Sequence, residues 1–365
     1  MALTLLYILG IFLIILLIFQ LGIFAGSVFA RPVDTQAKRI PISVIVYAKN
    51  NAQELRNLLP VLLNQNYHQF ELVLVNNAST DETLHLIKEY ALMYPNIRLV
   101  DVLNNEAFWG NKKYAVTLGI KACKYEYLVF IDANKRIHSY NWLVQLTSHF
   151  TLNKTVVIGT SFYTRKKGFF NKFLRFDHAM QQMQSLAWSR IGTPYSLNLE
   201  NIALKKEEFY RVNGFISHMQ KPLFMNEYLL NDVATSKNTL LCEHPDAMIE
   251  AEPVLKRSDF RQLKKHQLQL LKNTKGTAAF KVKLFNLMQF LFLIVAVCSF
   301  LTLEYWYITL GMVVLRYAVA WMLFAKTAKK YRYKDLIFLF PLYDLFYIFM
   351  QMRLFLGSLL TKSKS

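Results

Sequence analysis

The sequence predicts a doubly wound α/β domain combined with apolar segments that are long enough to cross a membrane. Three observations support this fold class. Strand and helix patterns alternate between residues 41 and 134, no charged residue precedes Arg31, and long apolar runs return after residue 283. A chain of 365 residues, 54% of them hydrophobic, has room for one large domain and several membrane helices.

The alternating region begins with a β-branched apolar run at 42–48, which predicts a buried strand. Leucines at helical spacing follow over 53–65, where Pro60 should perturb the helix. The same succession then repeats. Further strands are predicted at 70–76, 97–103 and 127–134, and further helices at 79–94 and 112–124. This alternation predicts a parallel, doubly wound sheet.

The apolar run at 3–30 is longer than the roughly 20 residues that cross a bilayer. Val28 and Ala30 resemble the small-residue cleavage site of a signal peptide. However, a basic segment before the run is missing, and the run is longer than a signal peptide requires. We therefore expect an uncleaved anchor.

Apolar segments at 284–303 and 305–325 predict a helical hairpin with aromatic residues at its turn. A third candidate, 336–360, contains Pro341, Asp344 and Arg353, and either spans the membrane or lies partly in its interface. We thus expect one N-terminal and two to three C-terminal transmembrane helices. The predicted domains are an anchor at 1–30, an α/β domain at 40–250, a basic interfacial region at 251–283 and membrane helices at 284–360.

The chain carries 43 Lys and Arg against 24 Asp and Glu, a formal charge of +19. Basic residues follow the first and third apolar segments, at Lys38, Arg39 and 326–334, which predicts that residues 31–283 lie in the cytoplasm. The segment 164–176 interleaves basic residues with phenylalanines. Beside membrane anchors, this pattern favours an interfacial amphipathic helix over a site for single-stranded nucleic acid. We therefore expect a membrane partner and no nucleic acid.

Polar residues follow three of the predicted strands, at 48–51, 76–78 and 132–134. In open α/β sheets, ligands bind in the crevice beyond the carboxyl ends of the strands. The sequence therefore predicts a binding site at this edge.

The order of motifs resembles the family 2 glycosyltransferases, which have the GT-A nucleotide-sugar fold. The resemblance covers about residues 40–270 and rests on these segments in order: PISVIVYAKNNAQEL, VLVNNASTDET, GNKKYAVTLGIKAC, FIDAN, YSLNLENIALKKEEFYRVNGF and RQLKKHQ. It implies a membrane-bound enzyme that moves a sugar from a nucleotide-sugar donor to an acceptor. The membrane helices favour a lipid or lipid-linked acceptor in envelope glycan or glycolipid synthesis. They also favour the bacterial inner membrane, with the main domain in the cytoplasm.

In this family the first strand ends hold the nucleoside. The resemblance gives that role to Asn51 or Glu54, Asn77 and Asp81. The alternative is structural: Asn51 and Asn77 are turn residues, and Asp81 caps a helix. For Asp81 the cap is the favoured interpretation.

A family lysine that faces the diphosphate matches Lys112 or Lys113, although a lysine pair on a helix is more often simply solvated. Asp132-Ala133-Asn134 stands at the family's Asp-x-Asp motif, which binds the ribose and a divalent metal, Mg²⁺ or Mn²⁺. Asn134 supplies no charge, so metal binding should be weakened or absent. Alternatively, the cations that follow it take over part of the diphosphate neutralisation.

The acceptor-side base of the family follows a Gly-Phe turn, here Gly214-Phe215. The preferred alignment assigns this role to Glu227, and a competing one assigns it to Asp232. Asp132 and Glu227 are therefore the predicted catalytic residues.

The family's Gln-x-x-Arg-Trp motif, which lies over donor and acceptor, is matched by Gln262, Lys265 and His266. Lysine keeps the charge of arginine but lacks its bidentate fork. Several acidic family positions are amides in this chain. This leaves open a second function, that of a catalytically inactive scaffold or binding subunit of a membrane assembly.

Overall fold

The computed structural model describes residues 1–30, 40–103, 111–191, 200–221, 225–254, 256–273 and 278–360. The chain divides into two compact units. The helical unit comprises Met1–Ala30, Arg165–Tyr195 and Val254–Ser365. The α/β unit comprises Arg31–Thr164 and Ser196–Pro253.

Helices and strands are numbered along the chain. The helices are α1 (Ala2–Leu17), α2 (Ala25–Val28), α3 (Ala52–Leu63), α4 (Thr83–Met93), α5 (Lys112–Ala122), α6 (Trp142–Thr147), α7 (Phe169–Arg190), α8 (Lys206–Arg211), α9 (Met225–Val233), α10 (Arg257–Asn273), α11 (Ala278–Leu301), α12 (Trp306–Lys330) and α13 (Phe340–Leu360). The strands are β1 (Ile42–Ala48), β2 (Phe70–Asn77), β3 (Ile97–Val102), β4 (Tyr127–Asp132), β5 (Arg136–Ile137), β6 (Val156–Gly159), β7 (Ser161–Tyr163), β8 (Ile202–Lys205), β9 (Thr239–Cys242) and β10 (Ile249–Ala251). A π-helical stretch, Ile18–Phe24, joins α1 to α2, and 3₁₀ turns lie at Ile216–His218, Pro245–Ala247 and Lys334–Leu339.

The main sheet of the α/β unit has the strand order β3-β2-β1-β4-β8-β6-β9. The four strands β3, β2, β1 and β4 are parallel, as predicted. Strand β8 runs antiparallel to both β4 and β6, so the sheet is mixed rather than wholly parallel. The four-residue length of β8 carries no signal of direction, which explains why the sequence did not predict the reversal. Three further strands form a small sheet in the order β5-β10-β7.

Both faces of the main sheet are covered. Val44 and Val46 of β1 pack with the buried leucines of α3, whereas Ile45 packs with α5 on the opposite face. Helix α5 lies so close to the sheet that a Cβ on Gly119 would stand 2.7 Å from Val75 Cγ2. Helix α3 continues through Pro60, which is exposed, and ends at Leu63. The strands are therefore buried on both sides, as their continuous apolar runs predict.

The helical unit contains four helical segments that are long and apolar enough to cross a membrane: Ala2–Val28, Phe280–Leu301, Trp306–Lys330 and Lys334–Leu356. These correspond to the predicted N-terminal segment and to all three C-terminal candidates. Within the last two, the buried Arg316 and Asp344 form an ion pair, and Arg316 Nη2 donates to Gln289 Oε1 at 2.9 Å. Asp344, one of the two charges in the last candidate segment, is thus paired inside the unit, whereas Arg353 is exposed.

Helix α7 corrects one expectation about the basic surface. Its phenylalanines Phe173 and Phe176 are buried within the helical unit. Arg175, predicted to face lipid, is 1% exposed and donates two hydrogen bonds to Asp335, at 2.8 and 2.7 Å. Arg165 and Phe169 remain exposed. The predicted 40–250 domain therefore includes residues that pack with the membrane-type helices.

Helix α10 corrects a second expectation, because one lysine of the predicted 251–283 interfacial region is internal. Lys264 is buried, and its ammonium contacts the carboxylate of Asp177 at 2.6 Å. Gln181 also donates to Asp177, at 2.9 Å. This lysine is a structural partner of α7 and not a lipid contact.

Candidate functional site

The ends of β1, β2 and β4 bring several predicted site residues to one edge of the main sheet. β1 lies between the other two strands, with Tyr47 in register with Val75 on one side and Asp132 on the other. Ala48 is in register with Asn76. The structure therefore places Asn51, Asn77 and Asp132 at the same carboxyl edge.

The turns after β1 and β2 are joined by hydrogen bonds. Asn50, in the left-handed region with φ 52°, accepts from the backbone N–H of Thr80 at 2.8 Å and donates through its own N–H to Ser79 Oγ at 3.0 Å. The N–H of Asn51 donates to Thr83 Oγ1 at 2.8 Å. Asn50 lies in the predicted 48–51 segment but was assigned no individual role. The tolerance of asparagine for positive φ was the available signal.

Asp81 acts in this turn as a backbone acceptor. Its carboxylate accepts from the N–H of Thr83 at 3.0 Å and from the N–H of Ala52 at 3.3 Å. Desolvation raises the pKa of Asp81, but these hydrogen bonds outweigh it and leave the pKa below its ordinary value. Asp81 thus has a structural role of the kind the alternative interpretation expects, in the turn just before α4, although the N-cap of that helix is Glu82. Glu54 lies exposed on α3.

Asn77 lies fully buried at the end of β2. Its Nδ2 donates to the hydroxyl of Tyr47 at 2.9 Å, while its Oδ1 is buried without a hydrogen-bond partner among the described residues. Burial raises the pKa of Tyr47, so this hydroxyl stays neutral. A buried acceptor without a hydrogen bond costs free energy, and a ligand that donates an N–H or O–H to it would remove that cost.

Asp132 forms an ion pair with Lys112, whose Nζ lies 2.5 Å from Asp132 Oδ2. The two side chains are 30% and 34% exposed, so solvent and ligands can reach them. Lys112 is the first residue of α5, which is capped by Asn111 through the N–H of Lys113 at 2.9 Å. The Lys112 ammonium also lies 4.9 Å from the centre of the Tyr47 ring.

A second ammonium lies three residues beyond Asp132. Lys135 pairs with Glu200 at 3.0 Å, and its side chain is 10% exposed. Burial lowers the pKa of Lys135, but the carboxylates of Glu200, Asp132 and Glu227 outweigh it and raise the pKa above its ordinary value. Lys135 is therefore held as a cation. Glu200 was missed because it lies 65 positions from its partner, and no local pattern links the two.

Lys113 points elsewhere than Lys112. Its buried Nζ donates to the backbone carbonyl of Lys221 at 2.5 Å. Burial lowers the pKa of Lys113 to about 8, reinforced by the charge of Lys112 and opposed by that of Glu227. Of the two predicted lysines, the structure brings Lys112 to Asp132 and places Lys113 in the interior.

The two alternatives for the base occupy different environments on α9. Glu227 is buried in the first turn, and its charge acts on both Lys113 and Lys135. Asp232 accepts from His218 Nε2 at 2.6 Å, and the His218 ring stacks on Tyr228 at 4.7 Å. The His218 contact gives Asp232 a structural partner, whereas Glu227 is the alternative whose charge acts on the lysines near Asp132.

The predicted residues Gln262, Lys265 and His266 belong to α10 of the helical unit. Gln262 and Lys265 are exposed, and His266 is half-buried. Burial lowers the pKa of His266, and its Nδ1 is buried without a partner among the described residues. Their contribution to donor binding stays a prediction.

The donor set at Asp132 fits a divalent metal poorly. Asn134 is exposed and uncharged, and Asp132 already contacts an ammonium. Within the described ranges, no group of three or more His, Cys, Asp or Glu side chains is arranged to hold a metal ion. Hard divalent cations such as Mg²⁺ are held by carboxylates together with phosphate oxygens.

Comparison with known proteins agrees with this geometry. Residues 43–219 match the model of glycosyl transferase family 2. The uncharacterized glycosyltransferase YibD of Escherichia coli is 29% identical over 27% of this chain and 27% of its own length. The poly(ribitol-phosphate) β-N-acetylglucosaminyltransferase TarP of Staphylococcus aureus is 29% identical over 32% of this chain and 37% of its own length. The matched regions thus span 27–32% of this chain and 27–37% of the lengths of these two relatives.

Among solved structures, the mannosyltransferase PcManGT of Pyrobaculum calidifontis, in complex with GDP-Man and Mn²⁺, superposes with a TM-score of 0.55. The match covers 92% of this chain and 99% of that one at 19% identity, which shows a shared fold. Together with the strand order, these matches show that the chain has a GT-A-type fold and that residues 43–219 are similar to glycosyl transferase family 2.

Proposed function

We propose that this protein is a membrane-bound glycosyltransferase that moves one sugar from a nucleotide-sugar donor to a lipid or lipid-linked acceptor. The observation that carries the proposal is the grouping of Asn77, Asp132 and the cations Lys112 and Lys135 around one edge of the sheet. Such a site offers a buried acceptor for the base, a carboxylate for the ribose and positive charge for the diphosphate.

Each group has a definite task in this reaction. Asn77 Oδ1 accepts an N–H of the nucleobase, and Asp132 accepts a ribose hydroxyl. Glu227 takes the proton of the acceptor hydroxyl, whose oxygen then bonds to the anomeric carbon of the sugar. The bond from that carbon to the diphosphate breaks, and the diphosphate leaves with the electron pair.

The membrane acceptor is supported by the four membrane-type helices and by the basic residues beside them. Lys326, Lys329, Lys330 and Arg332 cluster at and just beyond the end of α12. Since such clusters favour the cytoplasmic face, we infer a cytoplasmic α/β unit in a bacterial inner membrane. The similarity to TarP supports a role in envelope glycan synthesis.

The proposal is tested with the full chain in lipid nanodiscs. Calorimetry with UDP-GlcNAc, UDP-glucose and GDP-mannose identifies the donor, and transfer of labelled sugar is then compared between membrane lipid extract and soluble sugars. We expect product in the lipid fraction. Equal or greater transfer to soluble sugars would refute the lipid acceptor.

A second function is suggested by the amides Asn77 and Asn134, which stand where the resemblance places acidic residues. An inactive binding subunit of a membrane assembly fits this pattern. It predicts that the protein releases no nucleoside diphosphate with any donor and any lipid extract. Turnover above that of the Asp132→Ala variant would exclude it.

A further inference from the structure

We propose that Lys112 and Lys135 neutralise the leaving diphosphate in place of a divalent metal, so that transfer is independent of added metal. The proposal rests on the function proposed above and specifies how its site works. It begins with the ion pair between Lys112 Nζ and Asp132 Oδ2 at 2.5 Å. This ammonium occupies one of the two carboxylate oxygens that Asp132 could offer to a metal and offsets the negative charge of the other.

The remaining ligands do not compensate for that contact. Asn134 brings a neutral carbonyl, and Glu200, the other carboxylate near Lys135, is itself paired with that lysine at 3.0 Å. Magnesium and manganese sites in proteins depend on anionic oxygens, so one shared carboxylate gives a weak site. The charge that a metal would supply is instead already present on two lysines.

Lys112 is suited to this role by its position and its donors. An ammonium has three N–H donors, and the contact with Asp132 uses one of them. Lys112 also begins the 11-residue helix α5, whose positive end favours an anion. Its 34% exposure leaves the remaining donors accessible to a diphosphate oxygen.

Lys135 supplies the second positive charge and is held in place. Glu200 pairs with it directly, while the more distant charges of Asp132 and Glu227 also act on it. Lys113, the neighbour of Lys112, is only 4% exposed and donates to the Lys221 carbonyl at 2.5 Å, so its ammonium is not accessible to a diphosphate as that of Lys112 is. The structure thus separates two adjacent lysines into an accessible one that contacts Asp132 and a buried one that donates to a backbone carbonyl.

In the reaction, the bond between the anomeric carbon and the diphosphate oxygen breaks, and the electron pair stays on that oxygen. The two ammonium groups stabilise the negative charge by hydrogen bonds and transfer no proton. The only proton that moves goes from the acceptor hydroxyl to Glu227. The step therefore balances without a metal.

Donor binding to the wild type is measured by calorimetry in nanodiscs, first in EDTA and then with Mn²⁺ at about 1 mM. That concentration is enough to load a weak metal site. We expect the Kd for the donor to change by less than about threefold. Lys112→Gln should weaken donor binding about 10- to 100-fold, since it removes a charge-assisted hydrogen bond. Lys112→Arg should retain most of the affinity. The matched control is Lys121→Gln, an exposed lysine in the last turn of the same helix, which should leave the Kd unchanged.

Two results would overturn the inference while leaving the proposed function intact. One is donor binding that EDTA abolishes and Mn²⁺ restores. The other is a folded Lys112→Gln variant that binds donor as tightly as Lys121→Gln. If the wild type binds no nucleotide-sugar with or without metal, the proposed function fails and this inference fails with it. Thermal melting of each variant confirms that it is folded.

Discussion

Replacing Asp344 by asparagine should destabilise the helical unit more than any exposed substitution in the same helix. The carboxylate of Asp344 is 1% exposed and pairs with Arg316, which is fully buried. The variant keeps the size of the side chain and removes its charge. Among the described residues, Arg316 then keeps neutral partners only, among them Gln289, whose Oε1 accepts from it at 2.9 Å, and Tyr317, whose ring centre lies 4.5 Å from the guanidinium carbon.

The magnitude follows from the pair's burial. Two opposite charges about 4 Å apart at an effective dielectric constant of about 20 attract by about 4 kcal/mol. Loss of one partner of a buried ion pair costs about 3–5 kcal/mol, because the other charge stays buried and uncompensated. We therefore expect Asp344→Asn to lower the free energy of unfolding by about 3 kcal/mol. The double variant Arg316→Met with Asp344→Leu should recover most of that loss.

The assay is reversible unfolding by SDS titration in mixed micelles, followed by tryptophan fluorescence. Arg353→Met is the matched control, since Arg353 is an exposed charge on the same helix α13. The reasoning would be refuted if Asp344→Asn were no more destabilising than this control. The reasoning would equally be refuted if the double variant were as unstable as the sum of its own single variants, Arg316→Met and Asp344→Leu, because the charges would then show no coupling.

Three further predictions concern the α/β unit. The pKa of Lys113 is about 8 in the folded protein, against an ordinary value of 10.5. Between these pH values the unfolded chain therefore binds more protons than the folded one. The free energy of unfolding should accordingly rise by up to about 3 kcal/mol from pH 8 to 10.5. Melting curves should show a smaller rise in Lys113→Gln, and equal slopes would contradict the assignment. Gly214→Ala should lower the free energy of unfolding by about 1–3 kcal/mol, because the backbone φ at this position is +60° and the new Cβ would lie 2.5 Å from the Phe209 ring. Thermal unfolding measures this, and an unchanged melting temperature would contradict the packing. Asp232→Asn, which disturbs the contact with His218, should leave kcat within about tenfold of the wild type, and a loss of about a thousandfold would instead identify Asp232 as the base.

The sequence predicted the first four strands and their helices closely, because continuous apolar runs and leucine spacing report burial on a parallel sheet. It also placed Asn77 and Asp132 at the carboxyl edge of the sheet, where each is the last residue of a strand. The pairing of Lys112 with Asp132 was not predictable, since two adjacent lysines on a helix give no signal of which one contacts the carboxylate. Their separation arises from contacts with a turn 108 residues away, at Lys221.

Helix α7 shows a different limit of sequence reasoning. Its pattern of basic residues and phenylalanines has the composition of an interfacial helix, and periodicity alone cannot tell lipid from protein as the apolar surroundings. Arg175 is internal because Asp335, 160 residues later, provides a bidentate partner. Likewise, Lys264 is internal because Asp177 lies opposite it. Long-range charge pairing decided both positions.

The central claim is that the edge of the sheet around Asp132 transfers a sugar with Glu227 as the base. The most direct measurement is the single-turnover rate of labelled sugar transfer in nanodiscs containing membrane lipid extract, compared between the wild type and Glu227→Gln. We predict a rate lower by about 10²- to 10⁴-fold for Glu227→Gln, with donor affinity changed by less than about threefold. Equal transfer rates in the two proteins would contradict the account.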